Sequence, residues 1–217
     1  MIRDLSEISD GKVYDRNSLV RVVSNGCLGC HECCEGMGDS IVLDPMDLWR
    51  LTVTTGLQFD ALLQRHIDLH VEDRLILPGL KMDEYTGRCT FLNEKGRCSI
   101  HPMRPGLCRL FPLGRIYEEN AVRYFLQAGA CPGRERSKIK IEKWLEIPDQ
   151  KGYDNFLLAW HELRGRFAEK LGRTADEQEQ KALNLFFLNL FYVAPYDAGE
   201  DFFGQFQERC GRVKQML

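Results

Sequence analysis

Long apolar runs are missing from this chain. No stretch reaches the ~18 uninterrupted apolar residues that a membrane-spanning helix requires. The longest apolar region, Leu183 to Ala194, is broken by Asn184 and Asn189, so no membrane partner is expected. A secretory signal is missing as well: the opening Met1-Ile-Arg-Asp-Leu-Ser-Glu-Ile8 carries acids where such a signal needs a cationic start and an apolar run. The expected location is the cytoplasm, where glutathione and thioredoxin disfavour structural disulfides. Strong charge of either sign is lacking too. A net charge of −3 gives no general affinity for polyanions, and no nucleic-acid partner is expected. There is no phosphate loop, no nucleophile elbow and no Gly-rich turn of the dinucleotide-binding kind. His66 and His70 stand four apart, as on one helix face, but Ile67 follows His66 where a metalloprotease motif has Glu. Internal repeats and low-complexity linkers are also missing, and at 217 residues the chain is long enough to bury a core of its own.

Cysteine, by contrast, is abundant. Nine are present, and four of them crowd into Cys27-Leu-Gly-Cys30-His-Glu-Cys33-Cys34. Thiolates at two-residue spacing converge on one soft cation. The vicinal pair Cys33-Cys34 adds a constraint, because adjacent side chains point in different directions and do not both suit one tetrahedral ion. A second group, Cys89, Cys98, Cys108 and Cys131, is spaced too widely for a local motif and makes sense only where hairpins carry the four together. The eight thiols divide as two four-coordinate sites, or as one four-cysteine cluster with four supporting cysteines. Spacing alone leaves that partition open. Zinc and iron–sulfur centres both accept four thiolates. Two details lean toward iron, and specifically toward a 4Fe–4S cluster: the Cx2Cx2C run, and Cys131-Pro132, which repeats a Cys-Pro ending found at ferredoxin ligands. Cys210 stands apart and reads as an ordinary helical thiol.

Around the second group the charge is locally basic, with nine Lys/Arg against four Asp/Glu between Pro102 and Lys143. Arg104 and Arg109 flank Cys108. They can hydrogen-bond to thiolates and tune a bound cofactor, or order the Pro-rich loop through salt bridges and carbonyls. His31 lies inside the first cysteine loop, where sulfurs already suffice.

The pattern predicts an α+β fold: a small Cys-rich metal-binding domain of short hairpins and helices, residues 1–147, with a helical extension, 148–217, docked on it. Residues 18–23 read as a strand. Asp44-Pro45 starts a helix that Gly56 stops, and a second helix is expected from Phe59 to about His70. Hairpins are predicted between Cys89 and Cys98, with Gly96 at the turn, and between 113–117 and 122–127. Beyond Ser137 the pattern turns helical, with a short helix holding Ile139, Ile141, Trp144 and Leu145. Longer ones follow at about Tyr153–Leu171, Asp176–Tyr192 and Asp201–Met216. Phe156, Leu157, Trp160, Leu163 and Phe167 form an amphipathic stripe.

Three segments, Cys27-x2-Cys30-x2-Cys33-Cys34, then Cys89-Thr-Phe-Leu, then Cys98-Ser-Ile-His-Pro-Met-Arg104-Pro105-Gly-Leu-Cys108-Arg109-Leu-Phe-Pro112, with Cys131 beyond, are similar to the YkgJ-type cysteine-cluster family. This is the CxxCxxCC zinc- or iron-chelating group, which includes flagellin lysine N-methylases. The resemblance spans roughly residues 20 to 147 and implies metal chelation by the eight cysteines. For the methylase branch it implies transfer of methyl groups from S-adenosylmethionine to protein lysines. A protein substrate or partner would then meet the C-terminal helices. His101 stands where the family usually has an aromatic residue.

Overall fold

The computed structural model describes residues 5–23, 30–131, 136–214 and 217. After a single helical turn, α1 (Leu5–Ile8), strand β1 (Leu19–Val23) leads to the first cysteine loop. Helix α2 (Pro45–Thr55) begins as its chemistry dictates. The Asp44 side chain accepts the N–H of Asp47, the Asp47 side chain accepts the N–H of Asp44, Pro45 opens the first turn, and Gly56 ends the helix at φ 70°.

Helix α3 (Phe59–Arg65) is shorter than its sequence suggests, because Ile67–Glu72 forms strand β2 and pairs antiparallel with β3 (Leu75–Leu80). The β-branched Ile67 and Val71 suit a ladder, and Asp73 and Arg74 take positive φ to make the tight turn. His66 and His70 therefore share no helix face: His66 stacks on Phe91 at 4.2 Å, and His70 lies 3.5 Å from Asp39.

A short helix α4 (Gly106–Leu110) sits between Pro105 and Pro112, which forbid its extension in either direction. Strands β4 (Leu113–Glu118) and β5 (Ala121–Leu126) form the expected hairpin, Leu113 opposite Leu126. The Cys89–Cys98 hairpin contracts to one bridge, Leu92 to Cys98, with Gly96 at φ 67° in its turn. Strand β6 (Arg136–Lys140) pairs with β1, Val23 opposite Arg136, so Ile139 lies in a strand and not in the helix that follows, α5 (Ile141–Leu145). These three ladders, each of two strands, are the sheets among the described residues.

Helices α6 (Gln150–Arg173), α7 (Glu177–Leu188) and α8 (Phe202–Lys214) complete the α+β architecture, with a π turn, Asn189–Val193, after α7. The stripe on α6 is buried throughout. Phe156 meets Phe202 and Phe206 of α8 at ring separations of 5.4 and 4.7 Å, while Trp160 meets Phe187 and Phe191 at 5.4 and 5.2 Å. Burying rings of this size is the strongest stabilising contribution available to a chain of this length. The same core continues into Leu43, Leu51, Leu62, Leu75 and Phe91, beneath the cysteine-bearing loops. Asn184 of α7 ties the two halves together: its Oδ1 accepts the N–H of Ile76, and its Nδ2 donates to the carbonyl of Arg74.

Candidate metal centre

Three separate segments bring their thiols to one place. The first is the loop after β1. Cys33 and Cys34 lie in a 3-10 turn, Glu32–Cys34, closed by the Cys34 N–H on the carbonyl of His31 at 2.7 Å. The second is zipped to the first by backbone bonds. The N–H of Cys89 donates to the carbonyl of Cys34 at 2.8 Å, that of Gly36 donates to Gly87 at 2.9 Å, and Arg88 holds Glu35 at 2.9 Å. Two residues past Phe91, the turn at Asn93–Gly96 reverses the chain and returns Cys98 beside Leu92.

The third segment is α4, which carries Cys108. A five-residue helix has little stability of its own, and two buried side chains fix this one. Asp47, 2% exposed, accepts the N–H of Gly106 on Oδ1 at 2.7 Å. Arg109, 4% exposed, donates to the carbonyls of Pro102 at 2.6 Å, Leu145 at 3.2 Å and Glu146 at 3.3 Å, and so staples the Pro-rich loop and α4 to the end of α5.

The three segments enclose a cavity of about 340 Å³, on which Cys30, Cys33, Cys34, Cys89, Cys98 and Cys108 all stand. Apolar walls come from Leu80, Phe91, Leu92 and Ile100, and the rim carries Arg97, His101, Arg104 and Glu146. Arg104 donates to His101 Nε2 at 2.7 Å and lies 3.6 Å from Glu146. Of the two arginines singled out by sequence, Arg104 thus faces the cavity, whereas Arg109 points to carbonyls. His31 turns to Glu35 at 3.5 Å. Cys131 lines a separate crevice with Val23, Pro112 and Arg136, Cys210 is buried on α8, and Cys27 lies outside the described residues.

The electrostatics fit a cation. Burial pushes the Cys108 thiol well above its ordinary range, and neighbouring Cys89, Asp47, Cys33 and Cys98 push it further. Burial likewise raises Cys89, with Cys98 and Cys33 adding to it. Cys33 is raised first by its contact with Cys34, whose sulfur is 4.0 Å away, and then by burial, while Arg104 pulls it down. Thiols so crowded cannot ionise together unless positive charge joins them, which is what a thiolate-bound metal supplies. Among the described residues no three His, Cys, Asp or Glu side chains already converge on one point, so binding would draw the sulfurs inward. No disulfide joins the described cysteines.

A family model described as "CxxCxxCC: Putative zinc- or iron-chelating domain" matches residues 26–143, more than half of the chain. The chain belongs to the CxxCxxCC family. Searches of curated proteins and of solved structures each returned no match. The CxxCxxCC match takes in all eight cysteines read as candidates from sequence and stops before α6, so the metal-binding character belongs to the loop-rich half. Among the described residues no helix is long and apolar enough to cross a membrane. Sequence reasoning missed Asp47 and Glu146 as parts of this CxxCxxCC centre. The signal for Asp47 was present in the capping pattern Asp44-x2-Asp47, but nothing local announced that its second oxygen would reach α4.

Proposed function

We propose that this protein holds a four-thiolate iron–sulfur cluster in the cytoplasm, with Cys33, Cys89, Cys98 and Cys108 as its ligands. The observation that carries the reading is the gathering of six cysteines from three chain segments onto one 340 Å³ cavity. That space suits a polynuclear centre with apolar packing around it better than a lone ion, which closes its four donors tightly about itself. When bound, the cluster would supply one-electron redox capacity or a site for handing on metal and sulfide.

The chain's own residues supply the setting. Cys30 and Cys34 extend the sulfur surface beyond the four ligands. Arg104, beside Cys33, offsets negative charge and raises the potential of anything held there, the usual effect of a positive neighbour on a thiolate centre. Leu80, Phe91 and Ile100 lower the local dielectric and strengthen that effect. Among the described residues no feature points to S-adenosylmethionine, and methyl transfer to lysine stays outside the assignment.

Protein purified without air should be brown, with broad visible absorption and iron and acid-labile sulfide in equal amounts. Stoichiometric zinc with colourless protein and no sulfide would instead assign a zinc centre to the same thiols.

A further inference from the structure

A second cavity, of about 430 Å³, is lined by other residues of the same loops and helix. The loop that carries Cys30, Cys33 and Cys34 continues along this cavity through Met37–Asp44, and α4 presents Cys108 to one cavity and Leu107 and Leu110 to the other. Its volume lies within the ~300–1,000 Å³ range of small-molecule sites. Much of the wall is apolar, with Leu113, Leu157 and Trp160 prominent, yet ionic groups of both signs are set into it.

Three of those groups keep hydrogen-bonding capacity that the described residues do not use. Arg115 is held by phenols, Nη1 donating to Tyr117 at 3.1 Å and Nη2 to Tyr153 at 3.4 Å, and no carboxylate among the described residues forms an ion pair with it. Its Nε–H is buried with no acceptor among the described residues. Arg164 pairs through Nη2 with Glu72 at 3.4 Å and with Asp73 at 3.9 Å, and its Nε–H is buried in the same state. Asp44 accepts the N–H of Asp47 on Oδ1, while its Oδ2 accepts nothing from the described residues. Asp47 differs: both of its oxygens are engaged, one by the Asp44 N–H and one by Gly106. Arg115, Arg164 and Asp44 all stand on the cavity wall, where a ligand carrying both signs of charge would meet opposite charge at each end.

We propose that this cavity binds a small zwitterion of the α-amino acid class with an apolar side chain. Its carboxylate is received by the guanidiniums of Arg115 and Arg164, its ammonium by Asp44, and its side chain by Leu157 and Trp160. A plain anion of the same shape would meet Asp44 and Glu72 unscreened, and a plain cation would meet the two arginines, so each loses one favourable contact and gains a repulsive one. A wholly apolar ligand would leave all the charged groups dry and unpaired.

The proposal does not depend on which metal the cysteines hold. Calorimetric titration of the intact, metal-loaded chain with L-leucine and L-phenylalanine should give saturable binding of at least one of them. For that amino acid, the analogue lacking the amine and the analogue lacking the carboxylate should each bind at least tenfold more weakly. Asp44→Asn keeps an oxygen for capping α2, and Arg164→Gln alters a side chain at the partly open edge. Each should weaken amino-acid binding at least tenfold, as expected for loss of a charge-assisted contact, with metal content and unfolding midpoint unchanged. Absence of saturable binding to both amino acids, equal binding of either analogue, or full binding by both variants would overturn the assignment.

Discussion

Cys108→Ala should leave the purified protein with under about one tenth of the wild-type metal, since a four-thiolate centre rarely survives on three donors. Cys108 is the natural point of attack. It is set on an α-helix, and its thiol feels Cys89, Cys33 and Cys98 together. Alanine at this place removes little volume and leaves the backbone bonds of α4 to Asp47 and Pro105 in place, so the loss would report coordination and not collapse. Two companions set the scale. Cys210→Ala lies on α8 and Cys131→Ala in its separate crevice, and both should keep most of the metal. Elemental analysis of the three variants, prepared without air, checks the expectation. Equal metal in Cys108→Ala and Cys210→Ala would remove Cys108 from the proposed ligands, and loss in Cys131→Ala as deep as in Cys108→Ala would move a ligand to that crevice.

Arg109→Met should destabilise the fold by about 3–5 kcal/mol. Methionine matches the length of the aliphatic stem but donates nothing. Three carbonyls, those of Pro102, Leu145 and Glu146, would lose a charged donor at a buried position. Hydrogen bonds to charged groups contribute about 1.5–3 kcal/mol each, and bonds that share one guanidinium are not additive, which sets the range below the simple total. Urea unfolding followed by circular dichroism would measure it. A loss under about 1 kcal/mol would show that the clamp is no stronger than an exposed ion pair. Arg109→Lys, which reaches at most part of this fork, should fall between the two.

The fates of the two arginines show what the sequence could and could not disclose. Both flank Cys108, and both suit either a thiolate-tuning or a loop-ordering role. The choice between those roles depends on where α5 ends, 36 residues beyond Arg109, and no local pattern encodes that. Elements with strong local signals were legible: the Asp44-Pro45 cap, the Gly56 stop, the 113–126 hairpin and the stripe on α6 all stand where their chemistry places them. Elements that owe their form to a distant partner were not. Residues 67–70 read as helix because four-residue spacing of apolar groups overlaps with alternation in so short a window, and pairing with β3 decided the matter. Ile139 read as helical because its partner, Val20, lies far back in the chain. For the candidate centre, residue type was visible throughout. What required coordinates was the grouping, with six thiols on one cavity and Cys131 at another place.

The packing of Phe156, Trp160, Phe187, Phe191 and Phe206 lies in helices to which none of the cavity cysteines belongs. Small metallodomains that lack such a nucleus unravel when stripped; this one has its keel elsewhere. Treatment with a chelator should therefore discharge the inorganic guest while far-ultraviolet dichroism barely changes, and reloading should need no refolding step. A frame that outlasts the loss of its guest lets the sulfurs close and part above it without the helices having to form again.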